Sequence, residues 1–478
     1  MAKINNPAGE IKKQEFAAVV LAAGRGTRFK SPRPKVMHEI LGKPLLYYPV
    51  RLALDSGAAR VICVVEKDSD EVREYLKMDF SGKPVVVAVQ EERLGTAHAL
   101  HSAEECIPGG EGKVLVLYGA DPMMTAETIQ NLISSGVGSD LAITTAVLEN
   151  PRGYGRIMRD STGKIAGIIE EKDASPDQKL LKEINVGIYF MNAGLARGIL
   201  EKVGNKNAQK EYYLTDLVGW TVNKGLRVVD VRISDAAELV GVNDRAELAV
   251  CAREMARRIN LNHMRNGVTI AVPECTWIGP GVVIGTDTVI MPGCTIMGGT
   301  GIGASCRMDS FSTITDSVIR DNVRIREYCH IEGCEIGDGA IIGPFARLRP
   351  GSVIETGAHV GNFVELKKTR LGKRSKANHL SYLGDAEIGS DVNVGAGTIT
   401  CNYDGINKHK TIIEDGVFVG SDTQFVAPVK IGKGALIGAG STITQDVPPD
   451  ALAVSRVPQS NTAGYAKKRR QEKKRGTK

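Results

Sequence analysis

An aliphatic residue returns at every sixth position through much of the second half of the chain. Helices repeat their side-chain directions about every 3.6 residues and strands about every 2.0, so neither element alone explains this spacing. A six-residue period fits a coil with flat, extended sides, each pointing one aliphatic residue inward. The pattern therefore predicts a parallel β-helix, whose stacked coils bury a continuous aliphatic column. The series comprises Ile278, Ile284, Ile290, Ile296, Ile302, Met308 and Ile314; after a slip, Ile319, Ile325 and Ile331; after another, Ile336, Ile342, Leu348, Ile354 and Val360; and, past an interruption, Ile413, Val419, Phe425, Ile431, Ile437 and Ile443.

The first half of the chain has a different pattern. Short, continuous aliphatic runs at residues 16–22, 60–65, 85–89 and 114–118 alternate with segments that can form helices. Strands that are apolar at successive positions are typical of sheets covered on both faces. The pattern predicts a Rossmann-like α/β domain with a largely parallel sheet.

These patterns divide the chain into five segments. We expect a polar extension at 1–15, the α/β domain at 16–243, a linker helix at 244–266, the β-helix at 267–456 and a basic, disordered tail at 457–478. Asp244 is a suitable N-cap for the linker helix, since its carboxylate can accept hydrogen bonds from the free amides of a first turn.

The net charge of +6 could suggest a nucleic-acid partner, but its distribution along the chain argues against one. The tail alone carries more positive charge than this excess, and such runs are usually solvated, so nucleic acid is not the expected partner. Nine cysteines without a C-x-x-C pair indicate neither a zinc site nor a disulfide framework. With no apolar stretch long enough for a signal peptide or a membrane span, we expect a soluble, cytoplasmic protein without a membrane partner.

A glycine-rich turn follows the first predicted strand. The segment 21–28 reads LAAGRGTR, and Pro34-Lys35 comes soon after it. Without side chains in the way, backbone N–H groups of such a turn can approach phosphate oxygens, and Arg28 and Lys35 add positive charge. Alone, a G-x-G turn is a weak signal, and this one has neither dinucleotide-fingerprint nor P-loop spacing.

With its flanks, however, the turn resembles the signature of sugar-1-phosphate nucleotidylyltransferases. Further matching motifs follow in order: Gln90, Leu94 to Ala97, Tyr118-Gly119, Gly153 to Arg156, Glu170 with Lys172-Asp173, Asn185 to Gly187, and Gly241 to Asn243. Together with the hexad half, the chain resembles the family of bifunctional N-acetylglucosamine-1-phosphate uridylyltransferases and glucosamine-1-phosphate acetyltransferases. That resemblance implies that the β-helix is left-handed and that the protein is a homotrimer with sites shared between subunits.

The resemblance also implies roles in a uridylyltransferase site for UTP. The loop from Gly24 to Arg28 would cradle the triphosphate, and Lys35 would neutralise its charge. Leu21, Ala22 and Ala23 would also contact the nucleotide. Gln90, Gly95 and Thr96 would read the uracil, while Gly155, Glu170 and Asn185 would hold the amino sugar. Mg²⁺ would lie between an aspartate after the Tyr-Gly pair and Asn243.

One position departs from the family pattern. The family usually has Tyr-Gly-Asp, whereas this chain reads Tyr118-Gly119-Ala120-Asp121. Because successive side chains of an extended segment point to opposite faces, Asp121 would face away unless the turn is remodelled. Either Asp121 reaches the metal through a local shift, which we favour, or the uridylyltransferase is weakened or altered.

The second candidate site lies where the hexads break. The segments 365–380 and 400–408 interrupt the repeat and collect cations, amides and His379, and an insertion that disturbs a coil often has a function. His98 and His101, in contrast, are interpreted as ordinary helix residues.

By the family resemblance, His379 is the general base that accepts a proton from the amine of glucosamine-1-phosphate, and Glu365 fixes a neighbouring cation or the imidazole. Arg349 and Lys367 are implied for the phosphate of glucosamine-1-phosphate, and Tyr382, Asn393 and Lys408 for orienting its sugar. The residues implied for acetyl-CoA are Asn402, Tyr403, Ser421, Ala439 and Arg456.

Three hypotheses follow from the sequence. The leading one is an enzyme with two reactions, acetylation in the β-helix and uridylyl transfer in the α/β domain. A nucleotidylyltransferase with a β-helix scaffold is the second, but it predicts hexads without a base-bearing insertion. The third is an acetyltransferase whose first domain only senses a sugar nucleotide, and Ala120 alone favours it.

Overall fold

The computed structural model describes residues 15–24, 26–109 and 112–475, with the side chains of 474 and 475 left aside. The chain forms two compact units, Met1–Met255 and Ala256–Lys478. Helix α9, which contains the boundary between them, spans Arg245–Arg265. Asp244 caps it as predicted, because its Oδ1 accepts from the backbone N–H groups of Ala246 and Glu247, both at 2.9 Å.

The first unit is built from strands and helices in alternation. Its strands are β1 Phe16–Leu21, β2 Glu39–Ile40, β3 Lys43–Pro44, β4 Arg60–Glu66, β5 Val85–Gln90, β6 Lys113–Tyr118, β7 Leu141–Val147, β8 Arg156–Arg159, β9 Ile165–Ile169, β10 Glu183–Asn192 and β11 Val228–Arg232. Its α-helices before α9 are α1 Tyr47–Asp55, α2 Asp70–Asp79, α3 Thr96–Ser102, α4 Ala126–Gly136, α5 Pro176–Lys179, α6 Ala193–Ala196, α7 Ile199–Lys202 and α8 Asp216–Asn223. Short 3₁₀ turns lie at Thr27–Phe29, Lys35–Met37, Glu104–Cys106 and Ala236–Leu239.

The main sheet has the order β11-β7-β10-β6-β1-β4-β5, with β8 and β9 as a hairpin beside β10. β10 is antiparallel to β6 and β7, and the other pairs along this order are parallel. Alternate residues of β1 enter two different apolar clusters, with Val20 in one and Val19 in the other. Both faces of the sheet are therefore covered, which explains the continuous aliphatic runs and confirms the predicted α/β fold.

The second unit is a parallel β-helix with three flat faces. The first face contains Thr269–Ile270, Val289–Ile290, Arg307–Met308, Arg324–Ile325, Ile341–Ile342, His359–Asn362, Lys376–His379, Asn393–Val394, Phe418–Val419, Leu436–Ile437 and Leu452–Ala453. The second face contains Trp277–Ile278, Thr295–Met297, Thr313–Thr315, His330–Glu332, Arg347–Leu348, Glu365–Lys367, Tyr382–Gly384, Ile399–Cys401, Gln424–Val426 and Thr442–Ile443. The third face contains Val283–Ile284, Gly301–Ile302, Val318–Ile319, Glu335–Ile336, Val353–Ile354, Arg370–Leu371, Ala386–Ile388, Thr411–Ile413 and Val429–Ile431.

The aliphatic hexads form the core of this β-helix. Residues one coil apart lie in register on each face, as Ile278 with Ile296 and Ile284 with Ile302. Ile296 and Ile314 are completely buried, and their outward neighbours are not. The hexad prediction of a parallel β-helix is thus confirmed, in the form expected for left-handed hexapeptide repeats.

Two segments leave the regular coil. Between Ile399–Cys401 and Thr411–Ile413 the chain makes an excursion, closed by an antiparallel bridge between Tyr403 and Lys408. Near the C-terminus, in the segment for which the sequence predicts disorder, Tyr465–Arg475 forms a helix, α10, whose described side chains are exposed. Lys, Arg, Gln, Glu and Ala are good helix formers, which favours a helix in this segment. Among the described residues, no helix is long and apolar enough to cross a membrane.

Candidate active sites

A cavity of about 510 Å³ opens at the carboxyl ends of β1 and β6. Ligands of open α/β sheets bind at this edge of the strands. Nearly every residue that the sequence implies for the nucleotide site lines this cavity: Leu21, Ala22, Ala23, Gly24, Lys35, Gln90, Gly95, Thr96, Asp121, Gly155, Glu170, Asn185 and Asn243. Arg28 is the exception; its side chain is exposed outside the lining.

The glycine-rich turn lets Lys35 reach this cavity. Gly26 has φ of 58°, a left-handed conformation that glycine adopts without strain. A Cβ at Gly26 would lie only 2.4 Å from Cβ of Lys35. The turn therefore needs glycine both for its backbone and to make room for the Lys35 side chain.

Lys35, Asp121 and Asn243 converge on one side of the cavity. The Lys35 ammonium donates a hydrogen bond to Oδ1 of Asn243 at 3.0 Å. Burial lowers the pKa of Lys35, and the Asp121 carboxylate opposes this shift. Burial raises the pKa of Asp121 to about 6, against the effect of Lys35. A cation and a carboxylate thus face the same space as an amide oxygen.

The chain turns sharply before Asp121. The backbone N–H of Asp121 donates to the carbonyl of Tyr118 at 3.3 Å, which closes a turn directly after β6. Alternation of side chains applies only to extended backbone, so the expectation that Asp121 faces away does not hold here. Ala120 and Asp121 both line the cavity.

The oxygen donors at this place fit a magnesium ion. Mg²⁺ prefers oxygen ligands and is usually held by one or two carboxylates together with substrate phosphates. Asp121 and Asn243 supply a carboxylate and an amide oxygen, and a Cβ at Gly241 would intrude to 3.3 Å from Oδ1 of Asp121. Within the described residues, no group of three or more His, Cys, Asp or Glu could hold a metal by itself. A site of this kind would therefore rely on the substrate for its remaining ligands.

The predicted uracil end of the cavity is organised around Gln90. Its amide nitrogen donates to the carbonyl of Gly95 at 3.3 Å and pairs with Nδ1 of His98 at 3.1 Å. Gly95 has φ of 113°, and a Cβ there would lie 2.5 Å from the carbonyl oxygen of Tyr212. The loop after β5 is therefore held closely against residue 212, and Gln90 is fixed from two sides.

At the predicted sugar end, Glu170 and Asn185 are both held by neighbours. Glu170 accepts from the Thr215 hydroxyl at 3.0 Å, and burial raises the pKa of the Glu170 carboxyl. Asn185 donates to the Tyr189 hydroxyl at 2.8 Å and accepts from the backbone N–H of Gly187 at 3.2 Å. Both polar groups are thus fixed before any ligand binds.

A second group of predicted residues clusters on the second face of the β-helix. Arg349 donates to Glu365 at 3.1 Å. The Lys367 ammonium lies 3.2 Å from the carboxylate of Asp385, which also accepts from Asn402.

Tyr382 and Lys408 join this cluster. A Cβ at Gly384 would lie 2.5 Å from the Tyr382 hydroxyl and 2.9 Å from the amide nitrogen of Asn402, so both groups sit over that glycine. Lys408 lies close enough to Lys367 that the neighbouring lysine lowers the pKa of Lys408.

His379 lies at the corner beside this cluster. It ends the strand Lys376–His379 of the first face, in register with Asn362, and Tyr382 begins the next strand of the second face. Its side chain is exposed, and its backbone carbonyl accepts from the Ser381 hydroxyl at 2.8 Å. Asn393 lies one coil further along the first face, opposite Lys376. The imidazole is thus free to meet a substrate at the surface of the coil.

The residues implied for acetyl-CoA continue along later coils. The carbonyl of Ser421 accepts from the backbone N–H of Gly440 at 2.8 Å, and the guanidinium of Arg456 donates to the carbonyl of Ala439. The Tyr403 hydroxyl donates to the carbonyl of Gly405 at 2.6 Å, within the excursion. Ser421, Ala439 and Arg456 therefore follow one another along the β-helix axis.

Comparison with known proteins decides the family. Residues 17–238 match the Nucleotidyl transferase family, and residues 316–350, 333–368 and 410–445 match Bacterial transferase hexapeptide (six repeats). The bifunctional protein GlmU of Trichlorobacter lovleyi is 47% identical over 95% of this chain and 98% of its own. That of Syntrophotalea carbinolica is 50% identical over 95% of this chain and 97% of its own. The chain belongs to the GlmU family. It is accordingly a bifunctional enzyme, a uridylyltransferase and an acetyltransferase.

Some residues of these GlmU-type sites were not predicted from the sequence. His98 was interpreted as an ordinary helix residue, yet it pairs with Gln90. Asp385 and Thr215 were not singled out, although they hold Lys367 and Glu170. Their partners lie 8, 18 and 45 residues away, so only the folded chain brings them together.

Proposed function

We propose that this GlmU-family enzyme makes UDP-N-acetylglucosamine in two steps. The β-helix acetylates the 2-amino group of glucosamine-1-phosphate with acetyl-CoA. The α/β unit then transfers UMP from UTP to N-acetylglucosamine-1-phosphate and releases pyrophosphate. The observation that carries this proposal is the cavity at β1 and β6, which is lined by the whole implied nucleotide set except Arg28. For the same reason, the alternative of an altered nucleotidylyltransferase is not favoured.

In the acetyl transfer, His379 acts as general base. Its imidazole accepts a proton from the 2-amino group as the nitrogen attacks the thioester carbonyl. The new C–N bond forms while the C–S bond breaks, and the proton passes to the departing CoA sulfur. An imidazole suits this task because its ordinary pKa is close to neutral pH. Arg349 and Lys367 hold the sugar phosphate, and Tyr382, Asn393 and Lys408 orient the sugar.

In the uridylyl transfer, an oxygen of the sugar phosphate attacks the α-phosphorus of UTP and pyrophosphate leaves. Both reactants are anions, so charge neutralisation and alignment supply most of the catalysis. Lys35 and the backbone N–H groups of the glycine-rich turn provide positive charge within this chain. Asp121 and Asn243 would hold Mg²⁺, which when bound adds further neutralisation of the phosphate charge.

We further propose that the enzyme is a homotrimer, as its hexapeptide repeats favour assembly. Support comes from an exposed aromatic ladder, formed by Phe311, Tyr328, Phe345 and Phe363. Successive rings stack with centroids 5.4, 5.0 and 5.2 Å apart. Each of the four is 44–56% exposed, and exposed Leu380, next to His379, follows at the next coil. A continuous exposed apolar stripe of this kind indicates a protein interface.

Assays of both half-reactions with one substitution test the two-site proposal. We expect His379→Ala to abolish CoA release from acetyl-CoA and glucosamine-1-phosphate, because it removes the proposed general base. Pyrophosphate release from UTP and N-acetylglucosamine-1-phosphate should continue at the wild-type rate. Loss of both activities in a folded variant would contradict two separate sites, and retained CoA release would remove His379 from the role.

A further inference from the structure

Asp385 is a well-buried carboxylate that belongs to neither implied substrate set. It follows the strand Tyr382–Gly384, and its side chain is 16% exposed. Its φ of 49° is a left-handed conformation that few residues other than Gly, Asn and Asp adopt readily. The backbone is fixed there, because its N–H donates to the carbonyl of Lys367 at 2.9 Å. A carboxylate with so little exposure needs partners for its charge.

Its carboxylate joins residues from the coils on either side. One oxygen, Oδ2, accepts from the Lys367 ammonium at 3.2 Å and from the amide nitrogen of Asn402. Lys367 lies 18 residues before Asp385, and Asn402 lies 17 residues after it. Under the proposed function, Lys367 binds the sugar phosphate and Asn402 lies on the acetyl-CoA side. A single oxygen atom therefore contacts both halves of the site.

The charges of Lys367 and Lys408 are also influenced by the Asp385 carboxylate. Burial opposes ionisation of Asp385, but the hydrogen bonds from Lys367 and Asn402 outweigh it and hold the pKa of the carboxyl below its usual value. Lys408 lies beside Lys367, whose proximity lowers the pKa of Lys408. The Asp385 carboxylate thus offsets the repulsion between these two neighbouring lysines.

We propose that Asp385 is a positioning residue that links the sugar-phosphate end of the site to the acetyl-CoA end. This proposal rests on the proposed acetyl transfer. It holds Lys367 by charge and Asn402 by hydrogen bonding. Loss of the charge alone should affect the first contact, whereas loss of the whole side chain should affect both.

Two substitutions separate these contacts, and both accept the left-handed backbone. Asp385→Asn keeps an acceptor oxygen for Asn402 but removes the charge that holds Lys367. We expect it to raise the KM for glucosamine-1-phosphate about 10-fold and to leave the KM for acetyl-CoA within about two-fold. Asp385→Gly should raise both KM values about 10-fold, with smaller changes in kcat.

A matched control comes from Asp391. It has φ of 58° and forms an ion pair with exposed Arg374, at the corner before the first face. Asp391→Asn and Asp391→Gly should leave both KM values of the acetyl transfer within about two-fold. Pyrophosphate release in every variant checks that the chain is intact.

The outcomes decide between the explanations. Unchanged KM values in both Asp385 variants, or a loss of kcat at constant KM, would overturn the positioning role. In the double variant Asp385→Gly/Asn402→Ala, the acetyl-CoA KM should be close to that of the single variants, and additive effects would disprove the tether. Wild-type enzyme without CoA release would contradict the proposed acetyl transfer itself, independently of Asp385.

Discussion

At the scale of single residues, Asp121 lies one position later in the sequence than the family pattern, yet its side chain still lines the nucleotide cavity. The turn closed by Tyr118 brings both Ala120 and Asp121 into the cavity, beside Lys35 and Asn243. The sequence could predict the need for a carboxylate here, but its direction depends on a turn that strand alternation does not describe. A metal role for Asp121 therefore stays a prediction that substitution can test.

We expect Asp121→Ala to reduce Mg²⁺-dependent pyrophosphate release at least about 100-fold, because it removes the only carboxylate proposed for the ion. CoA release should persist. Moving the carboxylate by one position, in Ala120→Asp/Asp121→Ala, should restore part of the activity, since residue 120 lines the same cavity. Unchanged pyrophosphate release in Asp121→Ala would exclude the ligand role.

His98 leads to a prediction about pH. Burial is the main cause that lowers its pKa, with a smaller contribution from nearby His101. The neutral ring accepts from Gln90 at Nδ1, while the Gln90 amide also donates to Gly95. Protonation turns Nδ1 into a donor and breaks this pairing, so the KM for UTP should rise as pH falls below the ordinary histidine pKa of about 6.5.

Lowering the pH should also reduce the stability of the folded protein. Because the folded-state pKa of His98 is depressed, its contribution to folding is present at higher pH and is lost as pH falls. A control is His98→Asn, whose amide oxygen can accept from Gln90 at every pH. Its KM for UTP should vary less with pH than the wild-type KM, and equal profiles for the two enzymes would contradict the role of His98.

At the scale of elements, the hexads predicted the β-helix because each aliphatic residue closes a short strand and stacks on its equivalent one coil away. The same local rule cannot predict Asp385–Asn402, since that contact depends on how an interrupted coil resumes its stacking. The tail helix α10 shows that helix propensity is also a local signal, since its residues are mostly good helix formers. The sequence therefore predicts which residues are buried periodically, but it does not predict which polar residues pair between coils.

Inward and outward residues of one β-helix strand should therefore differ in how much their substitution lowers the free energy of unfolding. Ile342 is completely buried in the column, and its neighbour Ile341 points outward on the same strand. Ile342→Ala should lower the free energy of unfolding by about 2–5 kcal/mol, the usual cost of such a cavity. Ile341→Ala should cost less than about 1 kcal/mol.

The measurement can use the two tryptophans, Trp220 in the first unit and Trp277 in the second. In a Trp220→Phe background, Trp277 fluorescence during denaturant unfolding reports the β-helix alone. Equal losses for Ile341→Ala and Ile342→Ala would contradict the inward and outward assignment of the strand.

At the scale of the whole molecule, the exposed aromatic ladder connects assembly with acetyl transfer. In a single chain the four stacked rings of the ladder remain exposed to water. The exposed apolar surface continues to Leu380, beside His379. If neighbouring subunits pack on it, the surface around His379 becomes part of a site between chains. Assembly and acetyl transfer should then fail together, and uridylyl transfer should not.

Phe345→Asp tests this link at the centre of the ladder. A carboxylate buried among apolar rings is costly, so the proposed trimer should dissociate towards monomers in sedimentation or light-scattering measurements. CoA release should fall at least about 10-fold at dilute enzyme and recover partly at high protein concentration, as mass action requires. Val283→Asp is the control, because Val283 is 68% exposed on the third face and lies outside the ladder. A Phe345→Asp enzyme that keeps its wild-type mass and CoA release would show that the ladder is not the interface.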